Sequence, residues 1–319
     1  MSLSPGSLRF ARRGASVRFA TPVKDGRNML KRFLLASSLC LVWATCQAIP
    51  SAAEPSAAPA LTPAGPAAAP GAPSNGVQLM WMVYISGIKI GLVGLKTNFA
   101  PGSYSSASML KTGGIIGAFY NSRIEANSIG AVSGQMLRPR NYAADANSNK
   151  RQKTQLAYSA KGIELFADPA YNTERFPVTD EQKRDTLDPV SAMTFAISGL
   201  SVDAQHPCGG GLHVFDGARR YDVDFKYIAN ENLTADEDGY SGAAVKCEVI
   251  YTQVAGFKPS VNQGSKTYPI YVWGAVFETK QAGPMKRFVV PVKIMTETSY
   301  GTAKAIARKI TVDGTQRTN

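Results

Sequence analysis

A hydrolytic Ser-His-Asp site in this chain would have to use His206 or His213, the two histidines it contains. Such a site needs an imidazole within hydrogen-bond reach of a serine presented on a sharp turn. No Gly-x-Ser-x-Gly elbow occurs. His213 lies between Leu212 and Val214 in a strand-like stretch, where an outward-facing histidine is the ordinary reading. His206-Pro207-Cys208 has the look of a Cys-His pair, but nucleophilic chemistry there needs a reduced thiol. Carboxylates offer a second route, because Asp185 and Asp188 would serve as acid and base if they shared one cleft. Metal chemistry lacks its spacings, with no HExxH, no paired CxxC and no Asp-rich calcium loop. The acidic run Asp236-Glu237-Asp238 reads as a solvated loop. Thr112-Gly113-Gly114-Ile115-Ile116-Gly117 lacks the ending of a phosphate loop, so its glycines mark a turn or bulge. No catalytic, metal-ligating or cofactor-binding residue is assigned on these grounds.

The cysteines depend on where the chain works. Lys31 and Arg32 precede an apolar run from Phe33 to Ala44, and small residues follow at Ala48 and at Ala52–Ala53. That is the layout of a cleaved export signal, and the run is too short for a spanning helix. Residues 1–48 are expected to be this signal, with an extended N-terminus or a true start at Met29. The pair Arg12–Arg13 is followed by Gly14-Ala15-Ser16 rather than an apolar pair, which favours Sec over twin-arginine export. A lipoprotein anchored at Cys46 would need a better lipobox than Trp43-Ala44-Thr45. The expected location is the periplasm, with no transmembrane segment once the signal is gone.

Removing the signal changes the chemistry of the remainder. Eight Lys or Arg residues and one Asp fall in residues 1–48, so +7 of the formal +12 leaves and +5 stays. A mildly basic chain needs no nucleic-acid partner to explain it. Cys40 and Cys46 depart as well, and the remaining pair, Cys208 and Cys247, reads as a disulfide in an oxidising compartment.

These residues must be positioned by the chain between about 77 and 312. Residues 49–76 are nearly all Ala, Pro, Ser and Gly, the composition of a disordered linker. From Val77 the pattern turns to period two, the mark of half-buried strands. Tyr221, Val223, Phe225 and Tyr227 share one face, as do Val245, Cys247, Val249 and Tyr251. Tyr271, Trp273, Ala275 and Phe277 repeat the pattern, and so do Phe288, Val290, Val292 and Ile294. Ser86-Gly87 and Asp216-Gly217 read as hairpin turns, and Ala282-Gly283-Pro284 separates two later strands. One helix is expected, with Asp188 as N-cap, Pro189 at its first position, and Gly199 as its stop. Ten to twelve antiparallel strands with one apolar helix predict a mainly β fold. Its sheet would be strongly curved, an open barrel or spiral, and wrapped on the helix. Residues 313–319 read as a disordered tail. The basic run Lys150-Arg151-Gln152-Lys153, with Arg138 and Arg140, reads as a solvated hairpin end that an acidic lipid or wall polymer would fit.

The segment from Lys183 to Ala192, containing Asp185 and Asp188-Pro189-Val190-Ser191-Ala192, resembles a known family. So does Leu212 to Val223, with Asp216, Gly217, Arg219, Arg220 and Asp222 in a Val-Phe-Asp-Gly-x-Arg-Arg-Tyr-Asp run. Tyr84–Gly91 and Arg138–Tyr142 fit the same pattern. The family is the proteobacterial periplasmic proteins grouped as domain of unknown function 3108. The resemblance implies an exported, largely β protein with no assigned activity, akin in shape to lipoprotein carriers and envelope-integrity factors. Arg219, Arg220 and Asp222 are expected to form cross-strand ion pairs. The functional expectation is a non-enzymatic envelope protein that binds a lipid, a lipoprotein or a protein partner. The alternative is a hydrolase of wall or lipid material acting through carboxylates near 185–188.

Overall fold

The computed structural model describes residues 74–113, 122–148, 150–235, 239–258 and 268–317. The expected export signal, the expected linker up to Pro73, the glycine stretch 114–117 and the acidic run 236–238 lie outside the described residues. Seven strands come first: β1 (Asn75–Ile85), β2 (Ile88–Ala100), β3 (Ser103–Thr112), β4 (Arg123–Ser133), β5 (Met136–Asn147), β6 (Arg151–Ser159) and β7 (Gly162–Asp168). Two helices follow, α1 (Asp180–Lys183) and α2 (Pro189–Ser198). The second strand set is β8 (Leu212–Phe215), β9 (Arg220–Leu233), β10 (Gly242–Ala255), β11 (Ile270–Glu278), β12 (Arg287–Thr298), β13 (Gly301–Val312) and β14 (Thr315–Gln316).

All named strand pairs are antiparallel, in the order β7-β6-β5-β4-β3-β2-β1-β13-β12-β11-β10-β9-β8, with β14 added beside β13. The first strand therefore sits in the middle, and two meanders spread from it in opposite directions. The mainly β, curved architecture is as the period-two pattern predicts, with fourteen strands in place of ten to twelve. The extra helix α1 is one turn held by a capping box between Thr179 and Gln182.

The hydrogen-bonded ladder does not close, since β7 and β8 end the order without pairing. Leu187 covers part of the β8 edge instead. Its N–H donates to the His213 carbonyl at 2.8 Å, and its carbonyl accepts from Phe215 N–H at 2.9 Å. This parallel bridge satisfies backbone groups that an edge strand leaves open. Side chains of β6 and β7 approach the β8–β9 turn across the seam. A Cβ on Gly217, in the β8–β9 turn, would lie 2.8 Å from Thr154 and 3.2 Å from Leu165.

Inside the curve, α2 packs against β3, β4, β5, β8 and β12. Seven of its ten residues are buried, including Val190, Phe195 and Ile197. Phe99 and Phe288 meet beside it, fully buried with ring centroids 5.9 Å apart. Each such ring stabilises the fold by about 1.5–3 kcal/mol relative to exposure. Gly199 ends the helix at φ 67°, a left-handed conformation that costs a side-chain-bearing residue energy.

Two boundary expectations are corrected. Asn75, counted with the linker, is the first residue of β1 and only 1% exposed. Its carboxamide accepts from Met285 N–H at 2.9 Å and donates to the Gln281 carbonyl. Residues 313–317, counted as tail, form a turn and a short strand. Asp313 accepts from Gly76 N–H at 2.9 Å, and Asp313 N–H donates back to the Gly76 carbonyl at 2.8 Å. Reciprocal bonds between the two ends of the domain are long-range, so local composition carries no sign of them.

Candidate functional site

Period-two alternation puts a polar row inside the barrel. Thr97, Ser106 and Ser128 are cross-strand neighbours on β2, β3 and β4, all buried. The polar side of α2 meets that row. Thr194 donates to Ser106 at 2.7 Å, and Ser106 donates to Thr97 at 3.0 Å. At the helix N-terminus sits Asp188, with no exposed surface. One carboxylate oxygen caps α2 by accepting from Val190 N–H at 3.0 Å and Ser191 N–H at 2.9 Å. The other accepts from Ser128 at 2.8 Å and Ser191 at 2.5 Å. Ser191 also shares a hydrogen bond of 2.6 Å with the Tyr104 hydroxyl.

Burial pushes the Asp188 carboxyl up to about 6, although the serine hydroxyls and the two amides favour its ionised form. The phenols nearby answer to the same environment. Tyr104, Tyr142 and Tyr158 are raised by burial first and by the Asp188 charge second, so all three stay neutral. The Tyr158 hydroxyl is buried without a hydrogen-bond partner among the described residues.

The arrangement is a lock between helix and sheet. Both Asp188 oxygens are filled by this chain's own donors, so the carboxylate is committed to holding α2. Asp185 lies in a different environment: its side chain is 80% exposed and pairs with Arg138 at 3.1 Å. The two carboxylates therefore do not share a cleft.

The second motif is equally local. Asp216, buried and raised by that burial, accepts from Ala218 N–H at 2.8 Å and Arg219 N–H at 2.7 Å, which shapes the turn with Gly217. Arg220 is buried and donates to the carbonyls of Gln182 (3.0 Å) and Tyr221 (2.7 Å) and to Asp222 (2.6 Å). It ties β9 to the end of α1. The Arg219 guanidinium lies 5.6 Å from the Phe257 ring centre. Asp222 also meets the imidazole of His213, which is exposed as the strand pattern predicts. Burial acts upward on Asp222, but bonds from His213 and Arg220 outweigh it and lower the carboxyl. His206 is exposed and engages Asp203. Cys208 and Cys247 are joined, with Cα atoms 6.1 Å apart. Among the described residues no group of three or more His, Cys, Asp or Glu side chains could hold a metal.

The outer face of β1–β6 carries an open groove of about 610 Å³. Two adjacent rows of outward residues form it, alternating with buried Leu79 and Leu95. Met80, Gly94, Met109, Glu125, Asp145 and Lys153 lie in register across six strands. The floor is apolar, and charged or amide side chains stand around it. Sequence reasoning missed this groove and the interior serines. The serines left one trace, namely Ser and Thr at alternate positions in phase with apolar neighbours. The groove left none, because its two rows come from six strands.

An open antiparallel barrel plugged by a helix through a buried aspartate is the class of protein that fold and site define. The model of a family described as protein of unknown function (DUF3108) matches residues 81–308, and the chain belongs to that family. No curated protein matches the sequence. Among solved structures, the chain is similar to a β-barrel-like protein of domain of unknown function DUF1849 from Brucella abortus. The TM-score is 0.44 at 10% identity, covering 76% of this chain and 98% of that one.

Proposed function

We propose that the protein is a non-enzymatic component of the cell envelope, exported to the periplasm, that binds a lipid, a lipoprotein or a protein partner and supports envelope integrity. The observation that carries this reading is the groove across β1–β6, whose apolar floor and polar rim match the character and volume of ligand sites. The Cys208–Cys247 bridge adds support, because such bonds persist in oxidising compartments. Among the described residues no helix is long and apolar enough to cross a membrane. The hydrolase alternative draws on Asp185 and Asp188, and their different surroundings give it no support.

Mass spectrometry of lipid extracts from the purified full chain tests the reading, alongside detergent sensitivity of a deletion strain. A bound lipid and a sensitised strain are the expected results. An extract containing nothing bound, together with unchanged sensitivity, would overturn the proposal.

A further inference from the structure

We infer that the outer groove takes the alkyl chain of one long-chain fatty acid, with its carboxylate at Lys96. The inference rests on the lipid-binding reading above and names the ligand class and its place. Three observations point to it.

The first is shape. Gly94 lies directly between Met80 and Met109 in the cross-strand register, and Ala107 and Ala143 sit in the adjoining row. Small residues open a trough there, and thioethers wall it with adaptable apolar surface. The missing side chain at Gly94 is not forced by crowding. A Cβ there would find only the Met109 and Leu79 carbonyl oxygens, at 3.9 and 4.0 Å. Gly91, on the opposite, buried face of β2, could not carry one, since the Lys111 carbonyl oxygen lies 2.7 Å away.

The second is length. At strand spacings of 4.7–4.9 Å, six strands give the trough a span of about 24 Å. It crosses the strands instead of following them. An extended peptide laid in it would find no edge with which to make a ladder, whereas an alkyl chain needs none.

The third is charge. Glu125 and Asp145, on the rim, are held by Arg123 and Arg151. Among the described residues neither Lys96 nor Lys153 has a carboxylate within ion-pair distance. Lys153 is the cross-strand neighbour of Asp145 and feels its field. Lys96 stands among Gln78, Ala107 and Asn127, with no anion in its row. The uncompensated cation at the Lys96 end complements a carboxylate head.

The test titrates the delipidated full chain with cis-parinarate, a fluorescent long-chain fatty acid, with its neutral methyl ester in parallel. Wild type should bind the acid saturably at one site. Gly94→Val should raise Kd at least tenfold with an unchanged melting temperature, because valine suits a strand and fills the trough. Ala107→Leu fills the same trough from an exposed position and serves if Gly94→Val does not fold. Lys96→Gln should weaken the acid several-fold and leave the ester alone, while Lys153→Gln should change neither. Acid binding that survives both filling variants overturns the groove assignment and leaves the lipid-binding reading standing. Equal effects of Lys96→Gln on acid and ester overturn the place given to the head. No saturable binding by wild type, with a lipid-free extract, overturns both readings. Self-association that Gly94→Val abolishes, without acid binding, overturns the fatty acid in favour of a second copy.

Discussion

Replacing Asp188 by Asn separates what its charge does from what its shape does. Asn is as good an N-cap as Asp, so its carbonyl oxygen can keep the bonds to Val190 and Ser191 N–H. The ionisable group is lost, and the second oxygen, which accepts from Ser128 and Ser191, becomes an amide donor. With the native carboxyl at about 6 and the unfolded one at 3.8, the native state holds the proton more tightly. Stability from this group is fully present below about pH 4 and is lost as the pH rises through about 6. The gap between the two values, at 1.36 kcal/mol for each pH unit, amounts to about 3 kcal/mol. The surrounding phenols stay neutral throughout that window and add nothing to the slope. Urea unfolding of wild type and Asp188→Asn at about pH 4 and about pH 8 should therefore give different gaps. The variant should gain on wild type by about 2–3 kcal/mol at the higher pH, with equal m-values. A gap that stays constant within about 0.5 kcal/mol would refute the argument that burial dominates this carboxylate. Asp188→Ala should instead lose stability at both pH values. It forfeits the cap, about 1 kcal/mol, and about 1–3 kcal/mol for each buried polar partner left unsatisfied.

Reducing Cys208–Cys247, which are 39 residues apart, should lower stability by roughly 4 kcal/mol in the chain-entropy model; an unchanged melting temperature under strong reductant would count against that. Arg220→Lys should lower the unfolding midpoint by about 1–3 kcal/mol, because an ammonium cannot reach Gln182, Tyr221 and Asp222 together. The check is denaturant unfolding, with proteolysis of the α1 segment as a local readout. Gly199→Ala should destabilise by about 1–2 kcal/mol from its left-handed backbone, with Val289 only 3.3 Å from the new methyl group adding to it; a neutral result in calorimetry would show that α2 ends differently.

Local features were legible because they arise from neighbours in the chain. Asp188, Pro189 and Gly199 bracket a helix by capping chemistry alone, and the structure places α2 at Pro189–Ser198. Ser86-Gly87 and Asp216-Gly217 mark turns for similarly short-range reasons. Alternation along Phe288, Val290 and Val292 announces a buried face, and all three are buried. Burial along β9 fades in a way alternation does not foresee. Tyr221 and Val223 are covered, yet Tyr227 is 44% exposed, and an irregularity in the β9–β10 register falls beside it.

The sequence by itself determined the class of fold, the one long helix, the cysteine pair and the family, because each rests on periodicity, capping or a contiguous motif. Only the tertiary structure decided how the β8 edge is covered, what Asp188 holds, and where the outer groove runs. Leu187 on the β8 edge, Ser128 against Asp188, and Gly94 between two methionines are each set by residues on separate strands. The register that unites them follows from how the whole sheet coils around α2, and a single chain read in order holds no record of that.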